Sequence, residues 1–366
     1  METLLRYYKF SLVFTAACFG LGLWYGIAST DSIGGVLEIL WIILILSILE
    51  ISLSFDNAVV NASILKEMSE KWQERFLIWG IAIAVFGTRI VFPLAIVAIA
   101  AGIGPLEAID LSLNDPEQYE AIVSGAHIGI AGFGGAFLAM VGLRFFFDAE
   151  KDVHWIGVIE RNLSKVAVLP ALEIGLLLVV LWVISLQLPE EEALTFLTAG
   201  VLGLVTYILV DALGEYLNMR EETRKNASGE IMRSGLGGFL YLEVLDASFS
   251  FDGVIGAFAL SNNMIIIALG LSIGAMFVRS MTIHLVRKGT LSEYHFLEHG
   301  AFWAIIVLGA IMLTSAVIHI PETITGLIGG ALIGISFWWS LRHNRREAEA
   351  EAAAGTTGVT NTHPTD

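Results

Sequence analysis

Cysteine is almost absent from this chain of 366 residues, where Cys18 stands alone. That excludes a disulfide framework and any cysteine-based zinc or iron–sulfur centre. Charge is scarce too, at 15% of residues, against about 25% in a soluble domain. Basic residues are the rarer sign, 20 against 36 acidic, and the net charge of −16 excludes nucleic acid as a natural partner. No nucleotide-binding loop, nucleophile–base pair or His-rich metal motif occurs, so neither ATP-driven work nor enzymatic catalysis is expected, and no cofactor. What the chain has in quantity is apolar surface: 56% of residues are hydrophobic and the mean hydropathy is +0.75.

A helix needs about 20 mostly apolar residues to cross a bilayer. Ten stretches qualify: 10–28, 35–65, 76–102, 124–147, 166–187, 193–214, 236–260, 264–286, 300–319 and 323–341. The fold class expected is all-α, a polytopic bundle of about ten spans, with the lipid bilayer as its solvent. The loops test that count, because Lys and Arg collect on the cytoplasmic side. Arg6 and Lys9 precede the first stretch, and basic residues follow the second, fourth, sixth, eighth and tenth. The alternate loops carry acids instead, among them Asp31, Glu117, Glu191 and Glu322. Both termini are therefore expected in the cytoplasm and the protein in a plasma (inner) membrane. The first stretch lacks a good cleavage site and is expected to persist as a helix. The Ala-, Glu- and Thr-rich tail is expected to be disordered beyond residue 350.

Two segments of the chain match. Glu50-Ile-Ser-Leu-Ser-Phe-Asp56-Asn57 and Asp246-Ala-Ser-Phe-Ser-Phe-Asp252-Gly253 place an acid, two serines, a phenylalanine and an aspartate at identical spacing. The next stretches match as well, Gly80 to Arg89 against Gly270 to Arg279, and His127 and His299 open the third stretch of each unit. Five spans separate equivalent members, so the two three-helix units are expected to lie upside down relative to each other. That is a recurrent architecture of secondary transporters, with the substrate site where the units meet. The division that follows is 1–34, a helix and loop; 35–147, the first unit; 148–235, two linking spans and a basic loop; 236–320, the second unit; 321–344, a last span; and 345–366, the tail.

Arg89 and Arg279 are the two basic residues left inside spans. Asp56 and Asp252 lie near mid-depth, where a charge is costly and marks function. Ser52 and Asp56 are four apart, as are Ser248 and Asp252, so each pair is expected to share a helix face. Glu50, Asn57 and Asn61 form another face, and Glu243, Asp246 and Ser250 a third. Asp-Asn and Asp-Gly are weak helix formers, so both acidic helices are expected to unwind there. The arginines are expected to pair with Asp56 and Asp252, or with the acids six residues earlier. Five acids against two arginines leave carboxylates that need protons, cations or water. Carboxylate, amide and hydroxyl oxygens suit Mg²⁺, Ca²⁺ or Mn²⁺. Asp211, Glu215 and Glu173 are read as interfacial, and His295 and His299 as cytoplasmic surface.

At these residues the chain resembles the TerC family of tellurium-resistance membrane proteins, and more closely a bacterial branch of that group whose function is unknown. The likeness runs over roughly residues 36–320, on Glu50 to Asn57 and on Asp246 to Asp252. It implies two inverted three-helix units, a role in metal-ion homeostasis, chiefly manganese efflux, or in tellurite resistance, and a metal site at Glu50, Asp56, Asn57, Asp246 and Asp252. Arg89 and Arg279 would serve as ion-pairing residues, with Ser52, Ser248, Glu243 and Asn61 in support. Gly253 departs from symmetry, standing where an amide would mirror Asn57. The expected function is proton-coupled export of a divalent cation, Mn²⁺ first, with self-association open. The rival expectation is a membrane scaffold in a metal- or tellurite-stress response, whose buried charges are structural.

Overall fold

The apolar stretches fold as helices in a computed structural model, and no strand occurs among the described residues. It describes the chain except residues 1, 67, 81, 148–153, 167–170, 226–234, 259, 319, 321 and 358–366, and omits the side chains of some further helical residues, Asp252 among them. In chain order the helices are α1 (Glu2–Ser29), α2 (Ile33–Leu53), α3 (Phe55–Leu65), α4 (Glu70–Arg75), α5 (Phe92–Ala101), α6 (Pro105–Asn114), α7 (Pro116–Gly125) and α8 (His127–Phe146). There follow α9 (Gly157–Val166), α10 (Leu172–Ser185), α11 (Glu190–Lys225), α12 (Gly235–Phe258), α13 (Met264–Lys288), α14 (Thr290–Glu293), α15 (Leu297–Ser315) and α16 (Glu322–Thr357).

Among the described residues, 7 helices are long and apolar enough to cross a membrane. They hold the first, second, third, fourth, sixth, eighth and ninth of the expected spans. The other three are helices as well, each different from the expectation in one respect. The fifth, α10, is described as only 14 residues. The seventh, α12, carries Glu243, Asp246 and Asp252. The tenth is the uncharged stretch 323–341 within α16. The expected disordered tail is corrected in part: α16 continues through Thr357, over Arg, Glu and Ala residues that are good helix formers. Exposed Trp24, Trp41, Trp79, Trp182, Trp338 and Trp339 are placed as lipid-facing or interfacial aromatics.

Packing follows the repeat. The acidic helices α2 and α3 of the first unit lie against α13, the second helix of the other unit. Reciprocally, α12 lies against Ile83–Val91, and the third helices α8 and α15 pack on each other. Ser47 Oγ donates to Gly270 O across the α2–α13 contact at 3.1 Å. One turn on, a Cβ on Gly274 would collide with the Glu50 side chain, so only glycine allows the two helices this approach. Three apolar clusters occur among the described residues, the smallest around Leu65, Met68, Phe76 and Leu242. Of the two larger ones, one gathers α3, α8, α10, α11, α12 and α15 around Phe137 and Leu245; the other gathers α1, α2, α5, α7, α12 and α13 around Ile43 and Leu271.

Two irregularities separate the units. The first acidic helix breaks at Ser54, whose backbone (φ −98°, ψ 18°) leaves the helical region. Its hydroxyl donates to Glu50 Oε1 at 3.1 Å, a local side-chain bond that competes with helix continuation. Asp56-Asn57 lies inside α3 and α12 runs through Asp252-Gly253 unbroken, so the expected unwinding at these pairs is corrected: the first acidic helix breaks before them, at Ser54, and the second does not break. Packing against the other unit outweighs the weak propensity of Asp-Gly. The third span is π-helical over Phe76–Gly80 and Ile83–Val91, whereas its counterpart α13 is regular. Pro93 lacks the N–H that would bond Arg89 O, and the Phe92 N–H reaches back five residues to Gly87 O.

Candidate functional site

The break at Ser54 and the π-helical stretch bring Glu50 and Arg89 together. Glu50 Oε1 takes the Arg89 guanidinium as a direct ion pair, and both side chains are buried. Arg89 Nη1 also bonds Thr88 Oγ1 at 2.5 Å and Ala84 O at 3.1 Å, which orients the guanidinium. The same Nη1 lies 3.9 Å from Asp246 Oδ2 on α12. The same oxygen lies 3.9 Å from Arg279 Nη2, and that nitrogen is 3.4 Å from Glu243 Oε1. The charges therefore alternate: Glu50, Arg89, Asp246, Arg279, Glu243. The chain of contacts crosses from the first unit to the second, with Asp246 between the arginines.

Arg279 is seated by the other unit's backbone. Its Nη2 donates to Gly80 O at 2.5 Å, and its Cζ lies 3.8 Å from the centroid of the Phe76 ring. A Cβ on Gly80 would lie 2.7 Å from both Arg279 Nη1 and Glu243 Oε1, so the glycine opens the space that the pair fills. The ring face stabilises the cation, and the carbonyl takes a proton that would otherwise be unsatisfied in hydrocarbon.

Asparagines complete the cluster. Asn57 Nδ2 donates to Asp246 Oδ1 at 2.8 Å, and Asn61 Nδ2 approaches the same oxygen at 3.4 Å. A carboxylate only accepts, so both amides must present nitrogen to it, and their carbonyl oxygens turn away. Those two oxygens are buried without a hydrogen-bond partner, as is Glu243 Oε2.

Of the residues read from sequence, Glu50, Asn57, Asn61, Arg89, Glu243, Asp246 and Arg279 meet in one buried cluster. Asp56 does not join it. It is buried on α3, with Oδ1 accepting the Asn57 N–H at 2.8 Å and Oδ2 facing Gly329 of α16, where a Cβ would lie 3.1 Å away. Ser52 is exposed and donates to its own helix at Ile48 O, 2.8 Å, so it shares no face with Asp56. The break at Ser54 changes the angular relation that four residues of unbroken helix would give. Ser248 is buried but donates to Val244 O at 2.9 Å. Asp252 lies on α12 with its side chain outside the description. Of the two pairings expected for the arginines, the structure contains those with the earlier acids, Glu50 and Asp246. Asp56 takes neither arginine; its carboxylate helps satisfy the first-turn N–H groups of α3 instead. Among the described residues, no three His, Cys, Asp or Glu side chains are arranged to hold a metal ion. Guanidinium groups separate the acids.

Ser54, Thr88, Phe76 and Gly80 were not legible as site residues; only the break and the π-helical turns bring them in. Glu173 lies 3.8 Å from Arg144. Glu215 and His295 are exposed, and Asp211 is half-buried. His299 is corrected: it is buried rather than on the surface, because Glu160 of α9 and the Phe145 ring of α8 cover α15 there.

Fold and site define a multi-pass helical membrane protein with a buried, charge-alternating arginine–carboxylate cluster among α2, the Ile83–Val91 stretch, α12 and α13. The chain belongs to the DUF475 family, described as a protein of unknown function, whose family model matches residues 55–347. That stretch takes in all of the cluster except Glu50, and also residues 323–341, which the likeness to the TerC family does not reach. No curated protein and no solved structure matches the chain.

Proposed function

We propose that this protein is a secondary transporter that moves a divalent cation, Mn²⁺ by its resemblance to the TerC family, out of the cytoplasm in exchange for protons. The observation that supports the reading most is the buried row Glu50–Arg89–Asp246–Arg279–Glu243, shared between two units that pack reciprocally. Three acids and two guanidinium groups leave one formal negative charge in a low-dielectric interior, which a cation or proton relieves. In this arrangement the arginines act as internal counter-ions. A divalent cation gains carboxylate ligands only as a guanidinium swings aside, and Asn57 Oδ1, Asn61 Oδ1 and Glu243 Oε2 are oxygens free to join it. Rocking of one unit against the other would open the cluster to alternate sides, with the units inverted and both termini cytoplasmic. Asp56, near the break and clear of both arginines, is the acid placed to carry the exchanged proton.

The test is Mn²⁺ flux into proteoliposomes under an imposed pH gradient, with Ca²⁺ and Mg²⁺ as competitors. Flux no greater than in protein-free liposomes for all three ions would remove the reading. A second reading is a membrane scaffold whose buried charges hold the helices in register. It is favoured by the absence, among the described residues, of three converging ligands. It predicts no flux and a stable complex with partner proteins in the native membrane.

A further inference from the structure

A second buried ionisable cluster lies apart from the arginine row, at the opposite end of α15 from Ser315. Glu160 on α9 is 1% exposed. Its Oε2 accepts the Trp155 N–H at 3.0 Å, and its Oε1 accepts the Ile156 N–H at 3.2 Å and Trp303 Nε1 of α15 at 3.0 Å. Two imidazoles flank the same Oε2, His154 Nδ1 at 3.8 Å and His299 Nε2 of α15 at 3.7 Å. The Phe145 ring of α8 meets His299 edge-on with centroids 5.4 Å apart, and Trp155 meets Trp339 of α16 at 6.2 Å, so aromatic groups wall the cluster.

Several described charged groups of the surrounding elements have partners outside the cluster. Arg144 on α8 is 3.8 Å from Glu173, and Glu298 on α15 pairs with Lys66 of α3 at 2.8 Å. Arg161 is exposed on α9. On α16, Arg342 covers the Trp338 ring at 3.7 Å and His343 stacks on His295 at 5.2 Å. Glu160 thus faces two imidazoles across distances slightly longer than a hydrogen bond.

We propose that Glu160, His154 and His299 form a proton-binding site that locks residues 154–166 onto α15. Imidazoles change charge between about pH 5 and 8. A protonated ring beside Glu160 closes into a charge-assisted hydrogen bond, roughly twice as strong as a neutral one. With the rings neutral, Glu160 keeps its bonds to the two backbone N–H groups and the indole, and the grip on α15 weakens. The sign follows: the lock is held while a ring is protonated and released when both are neutral. Because α15 is the third helix of the second unit, the lock ties that unit to the linking segment. It does so whether or not the protein transports a cation.

Hydrogen exchange of the purified full chain at pH 5.5 and 8.5, corrected for intrinsic rates, tests it. The amides of Trp155 and Ile156 should be about tenfold better protected at the lower pH. The double variant His154→Gln, His299→Gln should show equal protection at both pH values while its thermal unfolding stays cooperative. Equal protection in the unmodified protein, or a pH dependence that survives the double variant, overturns the proposal. Glu160→Gln is a further variant, expected to flatten the pH response with α9 still docked through Trp303.

Discussion

Gly253 on α12 faces the Glu50 carboxylate so closely that a Cβ there would lie 2.7 Å from Oε2. The asymmetry between Asp56-Asn57 and Asp252-Gly253 therefore has a steric cause. An amide in the second unit, mirroring Asn57, would occupy the volume that Glu50 uses to reach Arg89. Gly253→Ala should displace Glu50 and strain the ion pair, at a cost of about 1–3 kcal/mol of stability. Thermal unfolding of the purified variant in detergent measures this. An unchanged midpoint would mean that Glu50 has room to move without loss.

Arg279 is held by Glu243, Asp246, Gly80 O and the Phe76 ring. Arg279→Ala leaves the buried Glu243 without its cation and Asp246 with Arg89 alone, and should cost about 3–5 kcal/mol. Arg279→Lys keeps the charge but loses the planar guanidinium that lies over the Phe76 ring while its Nη2 reaches an acid and a carbonyl, so its stability should fall between the two. Denaturant unfolding of the three proteins orders them; Lys no better than Ala would point to shape rather than charge.

Asp56 and Glu50 are both buried acids, yet one has an arginine and the other does not. Glu50→Gln should therefore lower stability by about 2–5 kcal/mol, because it removes the one carboxylate in direct contact with Arg89 and leaves Asp246 at 3.9 Å as its nearest acid. Asp56→Asn should change stability by no more than about 1 kcal/mol, since an amide oxygen still accepts the Asn57 N–H. On the transport reading, Asp56→Asn should nonetheless abolish proton-driven Mn²⁺ flux. Normal flux through a well-folded Asp56→Asn protein would show that the exchanged proton travels elsewhere.

Topology is open to direct labelling. With Cys18 replaced by Ala, a cysteine at Glu117 should react with a membrane-impermeant maleimide in sealed cells, and a cysteine at Arg161 should react only after the cells are opened. The reverse pattern would invert the whole orientation and place the His154–Glu160–His299 cluster on the outer side.

The helical membrane class was legible in the sequence because it rests on composition and on run length, which need no tertiary information. The kinship of these residues was legible for a related reason: Glu50 and Asp246 each precede an aspartate by six positions, Arg89 and Arg279 each follow a glycine by nine, and in the structure these four residues meet. Spacing could not tell which acids the arginines choose. That choice depends on the break at Ser54, which separates Ser52 from Asp56, and on π-helical turns around Arg89, which shift its direction relative to a regular helix. Both arise from local bonds, Ser54 to Glu50 and the missing N–H of Pro93, whose outcome is settled only against neighbouring helices. His299 makes the same point at a distance. Its burial beside Glu160 joins residues more than a hundred positions apart, and no helical periodicity reports such a contact. The sequence determined by itself that this chain lies in a bilayer and carries charges there. The tertiary structure decided which charges neutralise which, because in a low-dielectric interior an ångström of displacement changes the partner.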